Sequence, residues 1–209
     1  MHQEWDKRYR ETQHLYGSEA NVFIQDISRR YVISGRTLAI AEGEGRNILY
    51  LARTAREKHL AFSAEAWDYS QVALENAQVY AQEQGIELQS RQVDLTTVKW
   101  PEDQYDNILC VFGHVDPATR LKTLQGVRQA LKNHGHFIGE VYSKAQFAYK
   151  TGGPGNPDFL YDPQEILEVF QDDHIVHFFV GDVERYEGQL HQGKSHVIQF
   201  MIEVIKERS

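Results

Sequence analysis

Apolar residues along the chain fall into two alternating rhythms. Short runs such as "TLAIAE" (37–42) are almost unbroken, while the segments between them repeat their apolar positions every three to four residues. The first rhythm is that of buried strands and the second that of amphipathic helices. Residues 46–58 place Ile48, Leu51, Ala52 and Ala55 on one helical face. Residues 70–84 do the same with Ala73, Ala77 and Tyr80, and stop at Gly85. "AFSAEAW" (61–67) and "IELQSRQVD" (86–94) read as strands, and "YDNILCVF" (105–112) suits the middle of a parallel sheet. A helix is expected over 118–135, with Leu121, Leu124, Val127 and Leu131 recurring and Asn133 to Gly135 ending it. A strand over 136–143 and a short helix over 163–172 follow. "HIVHFFVGDV" and "SHVIQFMIEVI" are the last two strands.

Strands alternating with helices predict an α/β fold, a mostly parallel, doubly wound Rossmann-like sheet with helices on both faces. The linker "ERYEGQLHQGK" between the last two strands leaves no room for a crossover helix, so they pair antiparallel. At 209 residues the chain reads as a single domain over 1–209. Its formal charge of −8 argues against nucleic acid or an anionic membrane as partner. No apolar run nears the roughly 20 residues that cross a bilayer, and the polar N-terminus is unlike a signal peptide, so a cytoplasmic protein is expected. The single cysteine, Cys110, sits in an apolar run and reads as a small buried hydrophobe.

The chemistry starts at "EGEGRN", where the first strand turns into its helix. Ligands bind beyond the C-terminal ends of strands in such sheets. Gly43 and Gly45 let backbone approach a ligand closely. A dinucleotide fingerprint needs a third glycine where this chain has Ile48, and Glu42 and Glu44 would repel a pyrophosphate. The turn therefore suits a ligand with a cationic centre. Asp68, a little over twenty residues on, stands where a carboxylate accepts hydrogen bonds from ribose hydroxyls, although it could also cap the next helix, as could Ser70. Asp94 ends the third strand, where it would meet an adenine amino group or serve as a turn residue. Three acids at three successive strand tips make a nucleoside-binding edge.

"LAIAEGEGRNILYLA", "AWDYSQVALENA", "VDL", "YDNILCVFGHVDP", "LKNHGHFIGEVYS" and "TGGP" resemble the successive motifs of class I S-adenosylmethionine-dependent methyltransferases. "WDKRY", "YGSEANVFI" and "YEGQLHQGKSHVIQ" narrow the resemblance to the bacterial tellurite-resistance and thiopurine methyltransferase-like subgroup. The resemblance implies a seven-stranded sheet with the seventh strand antiparallel. It implies S-adenosylmethionine as cofactor and S-adenosylhomocysteine as product. By position, Glu42, Gly43, Glu44, Gly45 and Asn47 would line the methionine part. Asp68 and Tyr69 would meet the ribose, Asp94 and Leu95 the adenine, and Phe112, Gly113 and His114 the sulfonium end. The chain departs from the class at Ala39, usually an acid, and at Ala41, usually a glycine.

Methyl transfer from a sulfonium depends mainly on alignment, and a thiolate or heavier chalcogen acceptor needs no base. Where a base is needed, His114 and His191 are the candidates for catalytic residues. His134 and His136 read as structural residues flanking a helix end. Trp5 and Tyr16, in an N-terminal segment over 1–30 that reads as a lid or as simple packing, are candidates for one side of the acceptor pocket; Tyr142 and Tyr149 are candidates for the other. No spacing suggests a metal site, and His174 and His177, three apart in a strand, should face opposite ways. The expected partner is a small-molecule methyl acceptor. A nicotinamide-dependent oxidoreductase and a non-catalytic S-adenosylmethionine-binding protein are the alternatives, and the oligomeric state is left open.

Overall fold

The computed structural model describes residues 2–12, 17–187 and 191–206. Among them seven strands form one sheet of order β3-β2-β1-β4-β5-β7-β6. They are β1 (Gly35–Ile40), β2 (Phe62–Asp68), β3 (Leu88–Gln92), β4 (Tyr105–Val111), β5 (Leu131–Tyr142), β6 (His174–Glu187) and β7 (His191–Glu203). The helices are α1 (His2–Glu11), α2 (Val22–Arg30), α3 (Arg46–Glu57), α4 (Gln71–Glu83), α5 (Pro117–Ala130) and α6 (Pro163–Val169). β1 to β5 pair in parallel, and β7 runs antiparallel to both β5 and β6. The strand order reverses at β1, between β2 and β4, so a crevice opens beyond their C-terminal tips.

Side-chain alternation builds a core on each face. Leu38, Ile40, Ile108, Cys110 and Phe137 point toward α5 and α6, where Leu124, Val127, Ile166 and Phe170 cover them. Ala39, Leu109, Val111 and Ile138 point the other way, toward Phe23, Ile27, Ile48, Leu51 and Leu74 of α2, α3 and α4. The unbroken apolar run of β4 follows from its being covered on both sides. Gly139 lies where β5 presses closest. A Cβ there would sit 2.3 Å from the Cys110 carbonyl oxygen and 2.6 Å from the Phe200 ring. Neither neighbour can withdraw, so Gly139→Ala is expected to cost about 1–3 kcal/mol, read as a lower midpoint of urea unfolding.

Three local expectations change. α5 ends at Ala130 and not near Gly135, because Leu131 is extended (φ −71°, ψ 141°) and pairs with Tyr105. Leu131 keeps the apolar period because it is buried as the first residue of a strand. His134 and His136 therefore belong to β5 and not to a helix end, and His134 Nδ1 lies 2.7 Å from Glu203 Oε1. The linker before β7 is largely strand, since β6 continues to Glu187 and β7 begins at His191. A bulge between Ile175 and His177 pairs His174 with Glu203 and His177 with Met201, which brings both histidines to one face.

Candidate active site

The turn after β1 is tight because three of its residues are left-handed: Ala41 (φ 50°), Gly43 (φ 64°) and Gly45 (φ 85°). Gly45 is the N-cap of α3 and offers no side chain. Glu42 takes over that task. Its Oε1 accepts from the backbone N–H groups of Asn47 (2.8 Å) and Ile48 (2.9 Å). The protein's own carboxylate thus takes two of the free amides at the start of α3, for which a pyrophosphate would have to compete. Glu44 accepts from Asn76 Nδ2 at 3.0 Å.

Burial pushes the Glu42 carboxyl up to about 7, against the lowering effect of the Ile48 and Asn47 amides. The unfolded chain releases this proton near 4.5 and the folded chain holds it to about 7, so stability from this group falls as pH rises through that window. Glu42→Gln keeps an acceptor for both amides without a charge. It should remove that fall and make the variant relatively more stable at pH 8 than at pH 5, as denaturant titrations at the two pH values would read.

Asp68, the last residue of β2, is half-buried and bridges two strand tips. Its Oδ2 accepts from Gly43 N–H and its Oδ1 from Ser70 N–H, each at 2.8 Å. Burial raises its pKa, opposed by these amides. Ser70 caps α4 by accepting from Ala73 N–H, so Asp68 is not that helix's cap. α1 lies across this edge. The Tyr9 hydroxyl would be 2.6 Å from a Cβ on Gly43, and Asp6 accepts from the Ser70 hydroxyl. Gln92 donates to the Tyr69 carbonyl at 3.1 Å. Asp94 Oδ1 accepts from the Thr96 N–H (2.8 Å) and hydroxyl (2.6 Å), a local turn, and Leu95 packs half-buried on the core.

The tip of β4 turns at Phe112, which has φ 56°. Gly113 is what lets this tip reach β1, since a Cβ there would meet Cys110 Sγ at 2.8 Å and Ala41 Cβ at 3.2 Å. Cys110 is buried, its thiol pushed up to about 12 by that burial. Phe112 stacks on Tyr142 (ring centres 4.7 Å apart), and Tyr142 on His114 (5.6 Å). His114 Nδ1–H donates to the Phe159 carbonyl (2.9 Å), and Nε2 accepts from Tyr142 N–H (3.3 Å). Both ring nitrogens are thus engaged by backbone, and burial lowers the pKa to about 4. Here the histidine holds the β4 tip to the end of β5. Tyr149 donates its hydroxyl to Asp182 at 2.7 Å.

The sign for His114 is opposite to that for Glu42. The unfolded ring takes up a proton near 6.5 and the folded one near 4, so stability is lost as pH falls between them. His114→Gln should flatten the acid side of the stability curve, measured by thermal melts from pH 7 to pH 4.

A buried polar cluster beside Phe112 went unread in the sequence. Glu140 of β5 accepts from Asn21 Nδ2 (2.8 Å), from Arg185 Nη2 and from Gln199 Nε2. Asn21 N–H donates to Asn47 Oδ1 at 2.9 Å, and the Arg185 guanidinium lies 5.0 Å from the Phe112 ring centre. An acid inside the apolar strand "HFIGEVYS" was the available signal.

Of the remaining candidates, Tyr16 lies outside the described residues. Trp5 and His191 belong to α1 and β7, but their side chains lie outside them too. A cavity of about 210 Å³ lies behind the glycine turn, lined by Glu19, Glu42, Glu44, Arg46 and Tyr80 among others. A larger hollow follows the groove between α5 and α6, away from the three acidic tips. Among the described residues no cluster of metal-binding side chains occurs, and no helix is long and apolar enough to cross a membrane.

Residues 37–135 match the profile of the methyltransferase domain family. This stretch runs from β1 into β5 and contains the glycine turn and all three acidic tips. The match covers somewhat under half of the chain and supports an enzyme of the S-adenosylmethionine-dependent methyltransferase class, for which that cofactor is implied. No curated protein matches the chain. A solved structure described as "Conversion of a Disulfide Bond into a Thioacetal Group during Echinomycin Biosynthesis" is similar in fold. Its TM-score is 0.78 at 14% identity, over 100% of this chain and 93% of that one. TehB from Haemophilus influenzae gives 0.70 at 14% identity, over 98% of this chain and 67% of that one. A S-adenosylmethionine-dependent methyltransferase from Methanosarcina mazei gives 0.67 at 15%, over 87% and 98%.

Proposed function

We propose that the chain is a methyltransferase that moves the methyl group of S-adenosylmethionine to a small-molecule acceptor with a soft nucleophilic atom, a thiol or heavier chalcogen, as in the tellurite-resistance-like subgroup. One observation carries the cofactor half. The glycine turn is bordered by Asp68 and backed by Glu42, which already fills the start of α3. That set of acceptors fits the hydroxyls of a ribose and a cationic centre better than a pyrophosphate. When bound, the cofactor supplies an electrophilic methyl group on a positively charged sulfur, and that charge is lost as the methyl leaves.

In this reading Gly43 and Gly45 admit the methionine part, with Glu44 beside them and Glu42 and Asn47 fixing the turn. Asp68 and Tyr69 hold the ribose, Asp94 and Leu95 the adenine. Phe112 and Gly113 form the floor beneath the sulfur, and His114 holds that floor in place. Tyr142 and Tyr149 border the acceptor opening. The N-terminal segment over 1–30, with Trp5 and Tyr16, closes it against water, and His191 of the hairpin faces it. The chain acts as one domain, in the cytoplasm, without nucleic acid. A thiolate attacks without a base, which agrees with a His114 held neutral and already engaged. The similar structure whose description names a disulfide and a thioacetal is also a point in favour of sulfur.

The test is a screen of thiols, selenite, tellurite and small amines for S-adenosylhomocysteine release. Turnover with a chalcogen and none with amines is expected. Amine methylation alone would overturn the acceptor assignment.

A further inference from the structure

Buried ion pairs contribute little net stability, and well-packed apolar residues often replace them without loss. Glu140 and Arg185 are both almost wholly inaccessible, yet they sit between the two halves of the site rather than in the middle of a core. From Glu140 an unbroken chain of contacts leads in both directions. On one side, Asn21 Nδ2 donates to Glu140, Asn21 N–H donates to Asn47 Oδ1, and Asn47 N–H donates to Glu42 at the glycine turn. On the other side, Arg185 donates to Glu140 and lies over Phe112, which stacks on Tyr142. The links come from the N-cap of α2, from β5 and β6, from the start of α3 and from the tip of β4.

We propose that Glu140 is a positioning residue that couples the cofactor edge to the acceptor wall. What happens at the glycine turn reaches Phe112 and the outer half of β6 through Asn47, Asn21, Glu140 and Arg185. Every link is a directed hydrogen bond or a cation–π contact, so the parts hold one another in register. Alignment of nucleophile, methyl and sulfur is the main source of acceleration open to such an enzyme, and this linkage sets it. The inference rests on the cofactor reading above, and its test separates the two.

The probe is S-adenosylhomocysteine, and the readouts are calorimetry together with hydrogen-exchange mass spectrometry with and without it. In the unaltered protein, ligand should slow exchange at residues 43–48 and also at Phe112 and residues 181–187. In Glu140→Gln the ligand should still bind within about threefold of the original affinity and still protect 43–48. Protection at 112 and 181–187 should be lost. Arg128→Gln breaks another ion pair with a buried carboxylate, Asp173, remote from the glycine turn. It controls for general loosening and should leave the distant protection intact. If Glu140→Gln keeps that distant protection, or Arg128→Gln also loses it, the coupling role is overturned while the cofactor reading stands. If S-adenosylhomocysteine gives no binding heat with the unaltered protein, both fall together.

Discussion

Glu140→Ala lowers the unfolding free energy by about 3–5 kcal/mol, the cost of leaving a buried charge without its partner. For a chain of this length that is a fall in melting temperature of roughly 6–20 °C. Arg185, packed against the Phe112 ring, then loses the Glu140 carboxylate, and Asn21 and Gln199 lose an acceptor. The informative comparison is the double variant Glu140→Gln with Arg185→Met, which removes both charges and keeps the volumes close. It should recover most of the lost stability, while the single Arg185→Met should be nearly as damaging as Glu140→Ala. A double variant no more stable than either single would show that the pair itself, and not the stranded charge, carries the energy.

Asp68→Asn weakens S-adenosylhomocysteine binding by about 1.5–3 kcal/mol, the worth of hydrogen bonds made to a charged group. That is on the order of a 10- to 100-fold rise in Kd. Asparagine keeps the shape and one accepting oxygen, so it can serve either Gly43 N–H or Ser70 N–H but not both. Some loss of stability accompanies the loss of affinity, and melts without ligand separate the two. Affinity unchanged in a folded variant would remove Asp68 from the ribose.

Much of the architecture was legible because strand and helix rhythms differ so clearly here. The sheet, its antiparallel end and the glycine turn follow from apolar spacing and two glycines. The end of α5 was misread because Leu131 continues a helical period while already being a strand residue. The faces of His174 and His177 were misread because a single bulged residue reverses parity, and nothing in "HIVH" announces a bulge.

The site divides in the same way. Acids at strand tips can be read from sequence, since their positions follow from where strands end. What each acid does depends on contacts between residues many positions apart. Glu42 proved to cap α3 from inside, and Asp94 to accept from Thr96. The Asn21, Glu140 and Arg185 cluster joins residues 119 and 45 positions apart, a proximity that only the folded sheet creates.

The central claim is that the edge formed by β1, β2 and β3 holds S-adenosylmethionine. Isothermal titration of the purified chain with S-adenosylhomocysteine, alongside NADH, tests it most directly. One saturable site for S-adenosylhomocysteine and no heat from NADH is the predicted result. Saturable NADH binding, or no heat from S-adenosylhomocysteine, would contradict the claim.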